Sequence, residues 1–321
     1  MYGLNPGVYV AMITPWTAEN TIDWKTLEAY VDALCHSPIA GIVVAGTTGE
    51  GMALNAQEYT ELIQKVVACS AGKKHIMAGV SGVYADPVVS MMDRAQQAGA
   101  HSALVLTPFY IRPSQQGLID FFNNVHEKTS LPMVLYNNPG RTCVAMDVET
   151  VCQLGGRMRI VGIKDSTADL SRPSAIMQAI DQIRGQDADE NSVQKFMMFS
   201  GEDATFVPFV AGGGHGIISV QAGIVPSLYC HIWQALQTGQ WSRALALSHK
   251  LIPLHRAMGH GVNPGPIKYA ASLLGWGRAE TRFPLGCIPE SGTLSIAAAL
   301  DMLSADTIGN KPRCGGAAHG F

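Results

Sequence analysis

Eight short, nearly uninterrupted apolar runs constrain this chain more than any other feature. They occupy residues 8–14, 41–46, 75–80, 102–107, 132–136, 160–164, 195–200 and 216–220. Apolar, β-branched runs without clean alternation read as strands buried on both faces, as in a parallel sheet. Longer stretches of helical period separate them, such as residues 24–35, 56–71, 87–98, 116–128 and 147–154. Eight strands with intervening helices fit a closed α/β (β/α)8 TIM barrel. A doubly wound open sheet is the alternative. The count of eight and the lack of GxGxxG after the first strand speak against it. Residues 1–238 thus read as the barrel. The stretches 226–238, 241–259, 264–274 and 291–303 read as helices, and residues 239–305 form a C-terminal helical extension. The polar stretch 184–193 reads as a long surface loop. Residues 306–321, rich in glycine and small residues, read as a flexible tail.

Composition narrows the function classes. Of 321 residues, 47% are hydrophobic and 15% charged, which supports a large core rather than disorder. A net charge of −3 without a basic block gives nucleic acid nothing to bind. No apolar run reaches the roughly 18 residues of a membrane span. The N-terminus has no signal-peptide pattern, because strand-like sequence begins near Val8, so the cytoplasm is the expected compartment. The seven cysteines form no CxxC pair and the ten histidines show no ligand spacing, so neither a metal nor a cofactor is expected.

Catalytic groups of such barrels sit at the C-terminal ends of strands. The sixth run, Ile160-Val161-Gly162-Ile163-Lys164-Asp165, ends in a lysine that would face the barrel mouth. Burial there disfavours an ammonium, and the free amine is what imine formation requires. Taken alone, Lys164 is as easily a salt-bridged lysine, perhaps with Asp165. The fifth run ends at Tyr136, whose phenol could relay protons, and Arg141 follows on the next loop, where a guanidinium can hold a carboxylate. A core tyrosine and a solvated loop arginine are their ordinary readings. Gly46-Thr47-Thr48-Gly49-Glu50 suits a tight loop whose N–H groups approach an anion. The glycines at 212–214 and 216, around His215, suggest backbone brought close to a ligand. A phosphate cradle is the lesser alternative, since no P-loop lysine accompanies them.

Together these strand ends resemble the dihydrodipicolinate synthase / N-acetylneuraminate lyase family of class I pyruvate lyases. The likeness runs from Val8 to about Gly292. It is carried by Ile13-Thr14-Pro15, the GTTGE run at 46–50, Pro108-Phe109-Tyr110, Tyr136-Asn137 with Pro139, Gly162-Ile163-Lys164-Asp165, Ser200-Gly201-Glu202-Asp203, and Asn263-Pro264 with Pro266 and Lys268. The resemblance implies Lys164 as the Schiff-base lysine and Tyr136 as its proton shuttle. Thr48 and Tyr110 would be partners in a hydroxyl relay, with Tyr110 reaching into a neighbouring subunit's site. Thr47 and Thr48 would hold the pyruvate carboxylate, Gly201 would border the substrate, and Ile218 would line the lysine. It also implies a homotetramer, a dimer of dimers, whose partners are small-molecule substrates, pyruvate and an aldehyde.

The Thr47–Thr48 pair and Arg141 resemble the synthase branch, where the arginine serves the carboxylate of aspartate semialdehyde. The expected function is therefore pyruvate condensation with that aldehyde. An aldolase cleaving a 4-hydroxy-2-oxo acid, or a non-catalytic barrel with a binding role, are the alternatives. The sequence departs from lysine-inhibited synthases at Ala56, Tyr59, Val83, Pro87 and Phe109, where the effector pocket is polar, so inhibition by lysine is not expected.

Overall fold

The computed structural model describes residues 4–185 and 195–303. Eight parallel strands close into a barrel in sequence order, each paired with its neighbours and the last with the first. They are β1 Gly7–Ala11, β2 Gly41–Val44, β3 His75–Val80, β4 Ser102–Leu106, β5 Met133–Asn137, β6 Ile160–Asp165, β7 Met197–Ser200 and β8 Gly216–Ser219. Every apolar run holds a strand, four of them a residue or two shorter at one end. The open-sheet alternative is excluded by the β1–β8 pairing.

The helices are α1 Trp24–His36, α2 Ala56–Ser70, α3 Ala85–Gln97, α4 Gln115–Lys128, α5 Pro139–Thr142, α6 Val148–Gly155, α7 Arg172–Gly185, α8 Phe206–Ala211 and α9 Pro226–Gln237. After them come α10 Trp241–His249, α11 Ile252–Met258, α12 Gly265–Leu273 and α13 Glu290–Asp301. Local chemistry sets their starts. Asp23 accepts the N–H of Thr26 at 3.0 Å ahead of α1. Asn55 and Glu58 form a reciprocal capping box at α2, each satisfying an amide the helix leaves free.

Strand periodicity divides the core into two shells. Val8 and Val10 face the helices, whereas Tyr9 and Ala11 face the barrel interior with Val43, Met77, Leu104, Val134, Phe199 and Ile218. Among the described residues no helix is long and apolar enough to cross a membrane.

The structure differs from the sequence reading in two places. The expected helix over 241–259 is two helices, α10 and α11, separated at Lys250 and Leu251. Pro253 lies in the first turn of α11; it lacks an N–H and its ring would clash with the preceding turn, so one continuous helix cannot pass through it. The glycine-rich 212–216 segment stands at the N-terminal end of β8, opposite the mouth. Its glycines serve packing: a Cβ on Gly216 would collide with the Gly7 backbone, and one on Gly214 with the Phe209 ring. His215 accepts the Met198 N–H through Nδ1 at 3.2 Å in the same place, so neither it nor a phosphate cradle belongs to the mouth. Of the stretch expected as a loop, residues 184 and 185 close α7. Residues 186–193 and the 306–321 tail lie outside the described residues.

Candidate active site

Lys164 reaches the barrel interior because β6 breaks its own alternation. Met133 pairs with Ile160, but the next residue, Val134, pairs with Gly162, so β6 carries one extra residue at this point. Val161 faces inward and Ile163 outward, and Lys164 then points inward beside its register partner Tyr136. Gly162 permits the bulge, since any Cβ there would collide with the carbonyl of Met197 on β7. Asp165 points the other way. It pairs with Arg172 at 3.0 Å and accepts from Asn137 and Thr167. The Lys164–Asp165 ion pair is therefore not made, and among the described residues no carboxylate lies within ion-pair distance of Lys164.

Lys164, 5% exposed, places its Nζ 4.5 Å from the centre of the Tyr136 ring. Asn138 Nδ2 donates to the Tyr136 phenol oxygen at 2.9 Å. Burial pushes this phenol up, yet the Lys164 charge and the nearby Asn138, Thr47 and Ser166 groups outweigh it, and the net position is below an ordinary tyrosine. Ser166 lies beside the phenol without a well-formed hydrogen bond, and its buried Oγ bonds to nothing else among the described residues.

A cavity of about 590 Å³ opens over these residues at the C-terminal ends of the strands. Thr47, Thr48, Arg141 and Gly201 border it, as do Glu202, His255 and Asn263. A Cβ at Gly201 would collide with Ser166 Oγ and stand 2.9 Å from Lys164 Cε, so the bare backbone keeps the lysine end open. Arg141 donates to the Asn263 carbonyl at 3.2 Å from the short helix α5. Burial and the neighbouring Asp203 push the Glu202 carboxyl up against the pull of Lys164, although its outer side is open to solvent.

The remaining expected residues fall differently. The hydroxyl beside the Tyr136 phenol on the GTTGE loop is that of Thr47, whereas Thr48 Oγ1 accepts from Asn263 Nδ2 at 3.1 Å. Ile218 is fully buried inside the barrel and does not border the cavity. Tyr110 is 89% exposed, at φ +72°, and lies outside the cavity of its own chain. Sequence reasoning gave no role to Asn138, Ser166, His255 or Asn263. Asn138 and Ser166 follow Tyr136 and Lys164 by two residues each, so extending the strand-end search past the strands would have found them.

A buried lysine beside a phenol thus stands at the mouth of a (β/α)8 barrel. Residues 5–303 match the model of the Dihydrodipicolinate synthetase family, and the chain belongs to that family. It is 36% identical to a 4-hydroxy-tetrahydrodipicolinate synthase of Gluconacetobacter diazotrophicus, over 92% of this chain and 95% of the relative. A protein of the same name from Rhodospirillum centenum is 38% identical, over 87% of this chain and 91% of its own. The solved dihydrodipicolinate synthase of Thermotoga maritima superposes with a TM-score of 0.88 at 28% identity, covering 93% of this chain and 99% of that one.

Proposed function

We propose that this protein condenses pyruvate with L-aspartate semialdehyde, as a 4-hydroxy-tetrahydrodipicolinate synthase, through an imine on Lys164. The observation that carries the reading is the inward Lys164, without a carboxylate partner, beside the Tyr136 phenol. The lysine amine adds to the pyruvate ketone, and a proton moves from nitrogen to oxygen to give the carbinolamine. Loss of water, with a proton supplied by Tyr136, leaves the iminium. The phenolate then removes a C3 proton, which gives the enamine and restores the phenol. The enamine carbon attacks the aldehyde and Tyr136 protonates the new alkoxide. The amine of the semialdehyde then adds to the iminium carbon, the bond to the lysine nitrogen breaks as a proton passes to that nitrogen, and the ring closes with the lysine freed. The low position of the phenol suits it to both giving and taking a proton.

Thr47 and Thr48 border the cavity where the pyruvate carboxylate would lie, and Arg141 is the cation available to the acceptor carboxylate. The relatives bearing the synthase name support aspartate semialdehyde as that acceptor. We further infer a cytoplasmic homotetramer. Exposed Met52, Tyr84, Tyr110 and Ile111 on successive loops after β2, β3 and β4 support self-association at this face. The test is a comparison of acceptors with pyruvate. Turnover on L-aspartate semialdehyde should far exceed that on glyoxylate; the reverse order supports the aldolase reading.

A further inference from the structure

Three polar groups besides Lys164 converge on the Tyr136 phenol oxygen: the Asn138 amide and the hydroxyls of Thr47 and Ser166. An amide NH2 can only donate. With Asn138 Nδ2 donating at 2.9 Å, the phenol's own proton is turned away and needs an oxygen acceptor. Ser166 Oγ is buried and otherwise unbonded among the described residues. Ser166 Oγ and Lys164 Cε crowd the same point above Gly201, so the hydroxyl that neighbours the phenol also stands beside the lysine side chain. We propose that Ser166 is a further same-chain proton partner of Tyr136, alongside Thr47, and that Asn138 is a positioning residue that holds the phenol oxygen as an acceptor. This rests on the imine reading above.

The step balances. When the carbinolamine loses water, its C–O bond breaks and the bonding pair leaves with the oxygen, while the nitrogen lone pair forms the C=N bond. Ser166 gives its proton to the departing hydroxyl as the phenol gives its own to Ser166. The products are water, the iminium, a phenolate and an unchanged serine. Asn138 donates to that phenolate until it takes the C3 proton. The path lies within one chain.

Exchange of the pyruvate C3 hydrogens in D2O, followed by NMR without aldehyde, reads the imine–enamine steps alone. Ser166→Ala should slow exchange by roughly tenfold or more, a share of the usual worth of general acid–base catalysis. The rate at which the trapped adduct forms on Lys164 should fall alongside, because the same loss of water makes the imine. The extent of trapping after equilibration with saturating pyruvate, and the thermal melt, should stay unchanged. Asn138→Leu should slow exchange too and shift its pH profile upward, because the phenolate loses a donor while Lys164, the charged group facing it, stays in place. Unimpaired exchange in Ser166→Ala overturns the proposal, and so does a lowered melt or a reduced extent of trapping at equilibrium, either of which would make Ser166 merely structural. Absence of trapping in the unsubstituted protein removes the imine reading itself and is thereby distinguished.

Discussion

The ammonium of Lys268 on α12 meets the carboxylate of Glu50, on the loop after β2, at 2.7 Å, and neither side chain is open to solvent. Glu50 also accepts from Trp16 Nε1 and from the Arg282 N–H, both at 2.7 Å, while Lys268 donates to the Thr14 carbonyl at 3.0 Å. This buried knot ties the threonine loop of the site to the C-terminal helices. Removing one partner of such a pair costs about 3–5 kcal/mol, because the other charge stays buried and unpaired. Lys268→Met should therefore lower the melting temperature by several degrees, read by differential scanning calorimetry. An unchanged melt would show that the pair carries no stability.

Tyr136→Phe should lower turnover by roughly two to four orders of magnitude while the pyruvate adduct still forms, though slowly. The phenol sits below its ordinary value, so a step that needs it protonated should fail at a lower pH than an unperturbed tyrosine would allow. Steady-state rates across the alkaline range check this. A near-normal mutant rate would take Tyr136 out of the mechanism.

Gly162→Ala should impair both stability and adduct formation, since the new Cβ meets the Met197 carbonyl and the bulge that aims Lys164 cannot persist unchanged. Mass spectrometry after reduction reads the adduct. Full labelling of a stable Gly162→Ala protein would show that the bulge does not need glycine.

That bulge also marks where sequence reasoning ended. All eight strands were legible, because parallel strands buried on both faces leave continuous apolar runs. The inward aim of Lys164 was not derivable from alternation: counted strictly by twos from inward Val161, Lys164 faces the helices. Only the register against β5 shows the extra residue. Similarly, nothing local distinguishes the glycines at 212–216, which let a turn pack, from glycines that admit a ligand. The end of β8 at which they stand decides it, and that is a property of the closed barrel. Thr47 and Thr48 are adjacent, and their order along the loop does not reveal which hydroxyl turns to Tyr136 and which to Asn263.

Arg141→Ala should weaken use of the acceptor far more than saturation by pyruvate. The loss of a charge-assisted pair, about 1.5–3 kcal/mol, corresponds to roughly ten- to over a hundredfold in kcat/KM for the aldehyde. Initial rates varied in each substrate separate the two. A loss confined to pyruvate would place Arg141 at the other end of the cavity.

Lysine should not inhibit. The Tyr59 hydroxyl is already committed to the Gly79 carbonyl at 3.0 Å, and Ala56, Val83, Pro87 and Phe109 offer no polar side-chain atom. An ammonium or carboxylate placed there would lose water without gaining partners. Calorimetric titration with lysine, alongside assays at millimolar lysine, reads the outcome. Saturable binding would mean that a rebuilt pocket exists.

The central claim is the imine on Lys164, and reductive trapping tests it most directly. The protein is incubated with pyruvate, reduced with borohydride, digested and mapped by mass spectrometry. The account predicts one reduced pyruvyl adduct, on the peptide that contains Lys164, and none in Lys164→Ala. No adduct in the unsubstituted protein, or an adduct on another lysine, would contradict it.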